Sequence, residues 1–134
     1  MHGGHAPRTE IRELLERLAT LKEYPDRIAS RMGDRVEFID LARVSHFFAS
    51  DKLTYAATAA KNYVVDHSIQ ELEQKLDPRK FIRVHRAALL NLDYVQDLNS
   101  WFAGRMVVRL KDDKRTELTV SRDRVRVLKQ RLGI

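Results

Sequence analysis

The chain contains no cysteine. That excludes disulfide staples and thiolate metal sites, and it is compatible with a reducing compartment. The expected location is cytoplasmic. No run of about 18 apolar residues occurs, the length a membrane-spanning helix needs, so no membrane contact is expected. The five glycines are scattered and build no phosphate-cradling loop. Of the histidines His2, His5, His46, His67 and His85, only His2 and His5 stand at metal-ligand spacing. No serine lies in a nucleophile-elbow context. The acidic pair Asp112-Asp113 has the look of a solvated turn. No constellation for catalysis emerges. The expectation is a protein that is not an enzyme and holds neither metal nor cofactor.

What the chain has in excess is positive charge, and that charge is unevenly spread. The formal net charge is +6 over 134 residues. Residues 1–78 carry 11 Lys and Arg against 13 Asp and Glu, whereas residues 79–134 carry 14 against 6. A basic field focused in one part of a chain suits a polyanion such as nucleic acid. A soluble domain with a basic surface is the plainer alternative.

The first residues lack the apolar stretch of a secretory signal, and 1–7 read as a disordered leader. Residues 8–23 read as a helix, because Ile11, Leu14, Leu15, Leu18 and Leu21 form one apolar stripe. Pro25 ends it. From about residue 33 the period becomes strand-like, with candidate strands at 35–40, 43–49, 53–58 and 62–66. Ser68 and Glu71 form a capping box for a helix at 68–76 carrying Ile69, Leu72 and Leu76. Residues 81–92 are apolar with basic interruptions, and 94–98, 105–110 and 115–120 are further strand candidates. Asp112-Asp113-Lys114 marks a hairpin turn. Ser121 is placed to cap a closing helix over 122–132, with Val125, Leu128 and Leu132 inward and Gly133 past its end. The organisation is therefore a leader at 1–7, a linker or N-terminal helix at 8–32, and one mostly β domain at 33–134.

Three segments combine groups suited to nucleic acid. Phe81 to Leu92 places Arg83, His85 and Arg86 in an apolar frame. Arginine matches guanine O6 and N7, or phosphate, with a two-pronged fork. Histidine can donate to base edges or phosphate near neutral pH. The structural alternatives are a half-buried His85 and an Arg83 paired with a carboxylate. The second segment, Ser121 to Arg126, puts Arg122 and Arg124 at a helix start, where free N–H groups favour phosphate. The third, Ser50 to Tyr55, mixes Lys52, Thr54 and Tyr55 in what an ordinary hairpin loop could also contain.

In this order the segments resemble the LytTR DNA-binding family. Phe81-Ile82-Arg83-Val84-His85-Arg86 followed by Asn91 carries the resemblance, supported by Phe47-Phe48-Ala49, by Leu72 and Leu76, and by Leu118 to Arg122 leading into Leu128. It covers roughly residues 33–132. The resemblance implies an elongated stack of small antiparallel sheets with short helices, whose loops enter successive major grooves of double-stranded DNA. It implies base contacts near Lys52, Thr54 and Tyr55, at Arg86 and at Arg122, with His85 beside them. Arg83, Arg105 and Arg124 are candidate phosphate contacts from charge and location. It further implies the output domain of a transcription regulator, two copies on paired repeat sites, and a sensory or receiver domain that this chain is too short to include. Two other readings stay open: an RNA-binding module, and a protein-interaction domain acting through the stripe at 11–21. The DNA reading requires Arg86, Arg122 and the tip around Thr54 to emerge on a common side.

Overall fold

In a computed structural model of the chain, residues 10–14 and 23–134 are described. Residues 10–14 are helical, with Ile11 and Leu14 exposed. The expected leader, and Leu15, Leu18 and Leu21 of the expected helix, lie outside the described residues.

Ten strands follow: β1 (Arg27–Met32), β2 (Arg35–Asp40), β3 (His46–Ser50), β4 (Leu53–Ala57), β5 (Asn62–Val65), β6 (Phe81–His85), β7 (Ala88–Asn91), β8 (Val95–Ser100), β9 (Met106–Leu110) and β10 (Glu117–Val120). Two helices interleave with them, α1 (Ile69–Lys75) after β5 and α2 (Arg122–Leu132) after β10. The strands form three antiparallel sheets: the hairpin β1-β2, a five-stranded sheet in the order β5-β4-β3-β7-β6, and a three-stranded sheet in the order β10-β9-β8.

The five-stranded sheet is the middle layer, because its side chains alternate between two cores. On one face Phe47, Ala56, Val65, Phe81 and Leu89 pack with Ile28 and Ile39 of the first hairpin and with Ile69, Leu72 and Leu76 around α1. On the other, Ile82, Val84, Ala88 and Leu90 pack with Val108, Leu110, Val120 and, from α2, Leu128. Strands β6 and β7 are thus covered on both faces. That is why their sequence reads as one continuous apolar run rather than an alternation.

Three expectations change. Arg27–Met32, assigned to the linker, is a strand paired with β2 through Gly33 at φ +60°, so the boundary expected at 33 falls inside a hairpin. Only Ile28 and Ser30 of that strand are buried, which leaves little alternation to read. The run 81–92 divides into two strands around a turn at Arg86-Ala87. The strand expected at 43–49 begins only at His46, after a single 3-10 turn at Leu41–Arg43.

Local chemistry ties the layers together. The capping box at α1 forms as its residues dictate, with the Glu71 N–H donating to Ser68 Oγ and the Ser68 N–H donating to Glu71 Oε1. Hydrogen bonds to its oxygens, first from the Ser68 backbone N–H and then from the Ser68 and His67 side chains, hold the Glu71 carboxyl below its ordinary pKa. Asn91 is buried and works twice: its Nδ2 donates to the Val44 carbonyl at 2.8 Å, and its Oδ1 accepts from the Asp93 N–H at 3.0 Å. A buried carbonyl stripped of its donor keeps its desolvation penalty. Asn91→Ala is therefore expected to lower unfolding stability by about 1–3 kcal/mol in denaturant titration; an unchanged midpoint would contradict this role.

Candidate nucleic-acid interface

The β6-β7 turn organises the surrounding tips. Register between β6 and β7 shifts between Arg83 and His85, which leaves Val84 as the extra residue of a bulge. A bulge takes one residue out of the ladder and bends its strand. The Val84 carbonyl instead accepts the Ser121 N–H at 2.9 Å and the Ser121 hydroxyl at 3.3 Å. That pins the start of α2 beside the turn. On the other side, the Ala49 N–H donates to the Ala87 carbonyl at 2.9 Å, continuing the pairing of β3 with β7. Since β3 runs from His46 toward Ser50 while β7 runs away from Ala88, the β3-β4 turn and the β6-β7 turn lie at the same end of the sheet. Three elements distant in sequence thus converge: Asp51-Lys52, Arg86-Ala87 and Ser121-Arg122.

Within this end, Arg86 and Arg122 are exposed, and no hydrogen bond or ion pair engages either guanidinium among the described residues. Lys52 is exposed at the tip of a two-residue hairpin whose residues Asp51 and Lys52 have φ of +51° and +67°. Positive φ at both positions is the type I′ geometry that suits tight hairpins, and it normally draws Asn or Gly. His85 is half-buried, with its Nδ1 accepting from the Ala87 N–H at 3.2 Å. Its other ring nitrogen remains available as a donor. His85, Arg86, Ser121, Asp123 and Arg124 line a shallow cavity over Arg83.

Thr54 and Tyr55 belong to β4 rather than to a loop. Thr54 is 8% exposed, on the face it shares with buried Ala56, so its hydroxyl leaves the set of groups a ligand can reach. Tyr55 stacks on Phe48 with ring centroids 5.1 Å apart, in a row that continues to His46. Burial lowers the pKa of His46.

Arg83 also leaves the phosphate-contact set, for an electrostatic reason. Its side chain is 18% exposed and ion-paired with Glu73 of α1 at 3.3 Å. The same guanidinium donates to the Arg86 carbonyl at 2.8 Å and to the His85 carbonyl at 3.4 Å. It braces the turn that presents Arg86. Glu73 also faces Arg124 at 3.6 Å, so Arg124 is partly neutralised. Nothing in a lone helix-surface glutamate marks it as the shared counter-charge of two distant arginines, and sequence reasoning missed it. Arg105 is exposed where the β8-β9 loop meets β9. Ser121 occupies the expected cap position without a side-chain capping bond, because its hydroxyl serves Val84.

A layered β body that gathers cationic tips at one end has the electrostatic footprint that nucleic-acid binding requires. The family profile described as the LytTr DNA-binding domain matches residues 34–133. The chain belongs to this LytTR DNA-binding domain family. It is 30% identical over 112 residues to the transcriptional regulatory protein YpdB of Escherichia coli K12, covering 84% of this chain and 46% of that one. It is 27% identical over 108 residues to the sensory transduction protein LytT of Bacillus subtilis, covering 81% and 44%. The chain thus spans less than half the length of these relatives. Its fold matches that of a solved LytTr DNA-binding domain, from a putative methyl-accepting/DNA response regulator of Bacillus cereus, with a TM-score of 0.73 at 21% identity, covering 82% of this chain and 99% of that one. No helix among the described residues is long and apolar enough to cross a membrane.

The bracing role of Arg83 has a direct test. Lysine keeps the charge but loses the planar fork that serves two carbonyls and a carboxylate at once. Arg83→Lys is expected to lower unfolding stability by about 1–2 kcal/mol, measured in denaturant. Stability equal to that of the parent would remove Arg83 from this role.

Proposed function

We propose that this domain binds double-stranded DNA sequence-specifically, inserting its tips into the major groove. Arg86 and Arg122 read base edges, with Lys52 and His85 as flanking donors. Arg105 takes phosphate, and Arg124 joins it as far as its pairing with Glu73 allows. The observation that carries this reading is the backbone register that gathers the β3-β4 turn, the β6-β7 turn and the start of α2 at one end, with both arginines unpaired there among the described residues. Phosphate contacts set position and give salt-dependent affinity, and base-edge contacts supply discrimination.

In the same reading the domain is the output part of a cytoplasmic transcription regulator governed by a sensory partner domain. The printed names of the relatives, a transcriptional regulatory protein and a sensory transduction protein, support it. Two copies occupy a paired repeat, and the residues ahead of β1 lead toward the sensory part. Family membership favours duplex DNA over the RNA-binding and protein-interaction readings.

Selection of bound sequences from a random duplex pool at physiological salt tests this. The expected outcome is a short motif repeated at about one helical turn, roughly 10 bp, or a multiple of it. Arg122→Ala is expected to cost about 1–3 kcal/mol on the selected site and to relax preference at one base pair. Equal weakening on selected and random duplexes would place Arg122 on the backbone instead.

A further inference from the structure

Beside the basic end lies a tip of which the proposed function uses only Arg105. The loop from Trp101 to Arg105 joins β8 to β9. Register pairs Ser100 with Met106 and Met106 with Val120, so this loop projects from the same end of its sheet as Ser121 and the start of α2. The loop has a defined shape. The Trp101 N–H donates to the Arg105 carbonyl at 2.7 Å across its base, and Phe102–Gly104 makes one tight turn with Ala103 and Gly104 at φ +62° and +76°.

On that turn stand two large aromatic rings in solvent. Trp101 is 56% exposed, and Phe102, at 81%, is the most exposed of the large hydrophobic side chains described. Neither belongs to a core cluster. Arg105 is the one charged residue of the loop, and no ion pair engages its guanidinium among the described residues, whereas Arg109, farther along β9, is paired with Asp97 at 3.4 Å and faces Glu117. Pairing two such tips across a dimer would bring like charges together, which is unfavourable. A polyanion satisfies Arg105 while giving the rings an apolar surface, the faces of its sugars.

We infer that the Trp101–Arg105 loop is a further DNA-contacting element. Trp101 and Phe102 pack on the deoxyribose backbone beside the groove entered by the start of α2, while Arg105 holds the adjoining phosphate. The inference rests on the duplex-binding reading above and assigns the aromatic pair a sequence-independent share of affinity.

Trp101 is the only tryptophan of the chain, so its emission reports on this loop alone. The test titrates the full chain with a random-sequence duplex and with one strand of that duplex. Acrylamide quenching of Trp101 is read in parallel with the anisotropy of labelled DNA. Saturation with duplex is expected to cut quenching about twofold or more. The double variant Trp101→Ala/Phe102→Ala is expected to bind selected and random duplexes about tenfold more weakly, by equal factors. Its circular dichroism should match that of the parent, since neither ring is buried. Trp101→Phe should retain most of the affinity.

Bound duplex with Trp101 still fully quenchable, together with parental affinity in the double variant, would overturn this inference and leave duplex binding standing. Absence of any anisotropy change with the parent chain would overturn both. Stronger shielding by the single strand would replace the backbone contact with stacking on unpaired bases. Concentration-dependent shielding without DNA would make the tip a contact between copies, and either result would overturn the proposal.

Discussion

The arrangement depends on the bulged β6-β7 hairpin and on the two backbone hydrogen bonds that leave its sides. Ala87 receives the Ala49 N–H from β3, and Val84 receives the Ser121 N–H ahead of α2. Each bond contributes only about 0.5–1.5 kcal/mol net. Their consequence is geometric: they set the spacing of three tips that no stretch of sequence connects directly. The bulge is what makes the second bond available, because a regular ladder would have used the Val84 carbonyl within the sheet. With β6 and β7 packed between two cores, the hairpin has little freedom to shift.

Electrostatics then sorts the arginines by role. Glu73 on α1 accepts charge from both Arg83 and Arg124, which ties the middle layer to the start of α2 and lowers the local positive potential. Arg86 and Arg122 have no such partner among the described residues. A guanidinium in water reaches an incoming duplex without first breaking an internal pair. Arg83 gives up that availability and, in exchange, fixes the carbonyls of the turn that carries Arg86. In the proposed reading, a cationic end of this kind steers a polyanion from a distance, and salt weakens that steering.

Much of the layering was legible because most strands have one buried face and one wetter face. The capping box at Ser68-Glu71, the turn at Asp112, and Gly133 in the left-handed region at the close of α2 all follow from side-chain chemistry visible in the sequence. The hairpin within 81–92 was hidden twice over: strands covered on both faces lose the period of two, and Arg86-Ala87 contains none of the usual turn residues. Strand β1 was lost because Arg27, Arg31 and Met32 are exposed while only Ile28 and Ser30 are buried. At the site, Arg86, Arg122 and Lys52 stand exposed at tips, whereas Thr54 is buried by its strand parity and Arg83 is drawn inward by Glu73. Both of the latter depend on a neighbour remote in sequence, which no local pattern reports.

The central claim is that one end of the stacked sheets meets the DNA. Backbone amide shifts followed by NMR while the full chain is titrated with duplex test it most directly. The account predicts that the largest changes fall at residues 51–53, 85–88 and 121–124, with little change at the far turns, 59–61, 78–80 and 112–115. Changes concentrated at those far turns, or spread evenly over the surface, would contradict it.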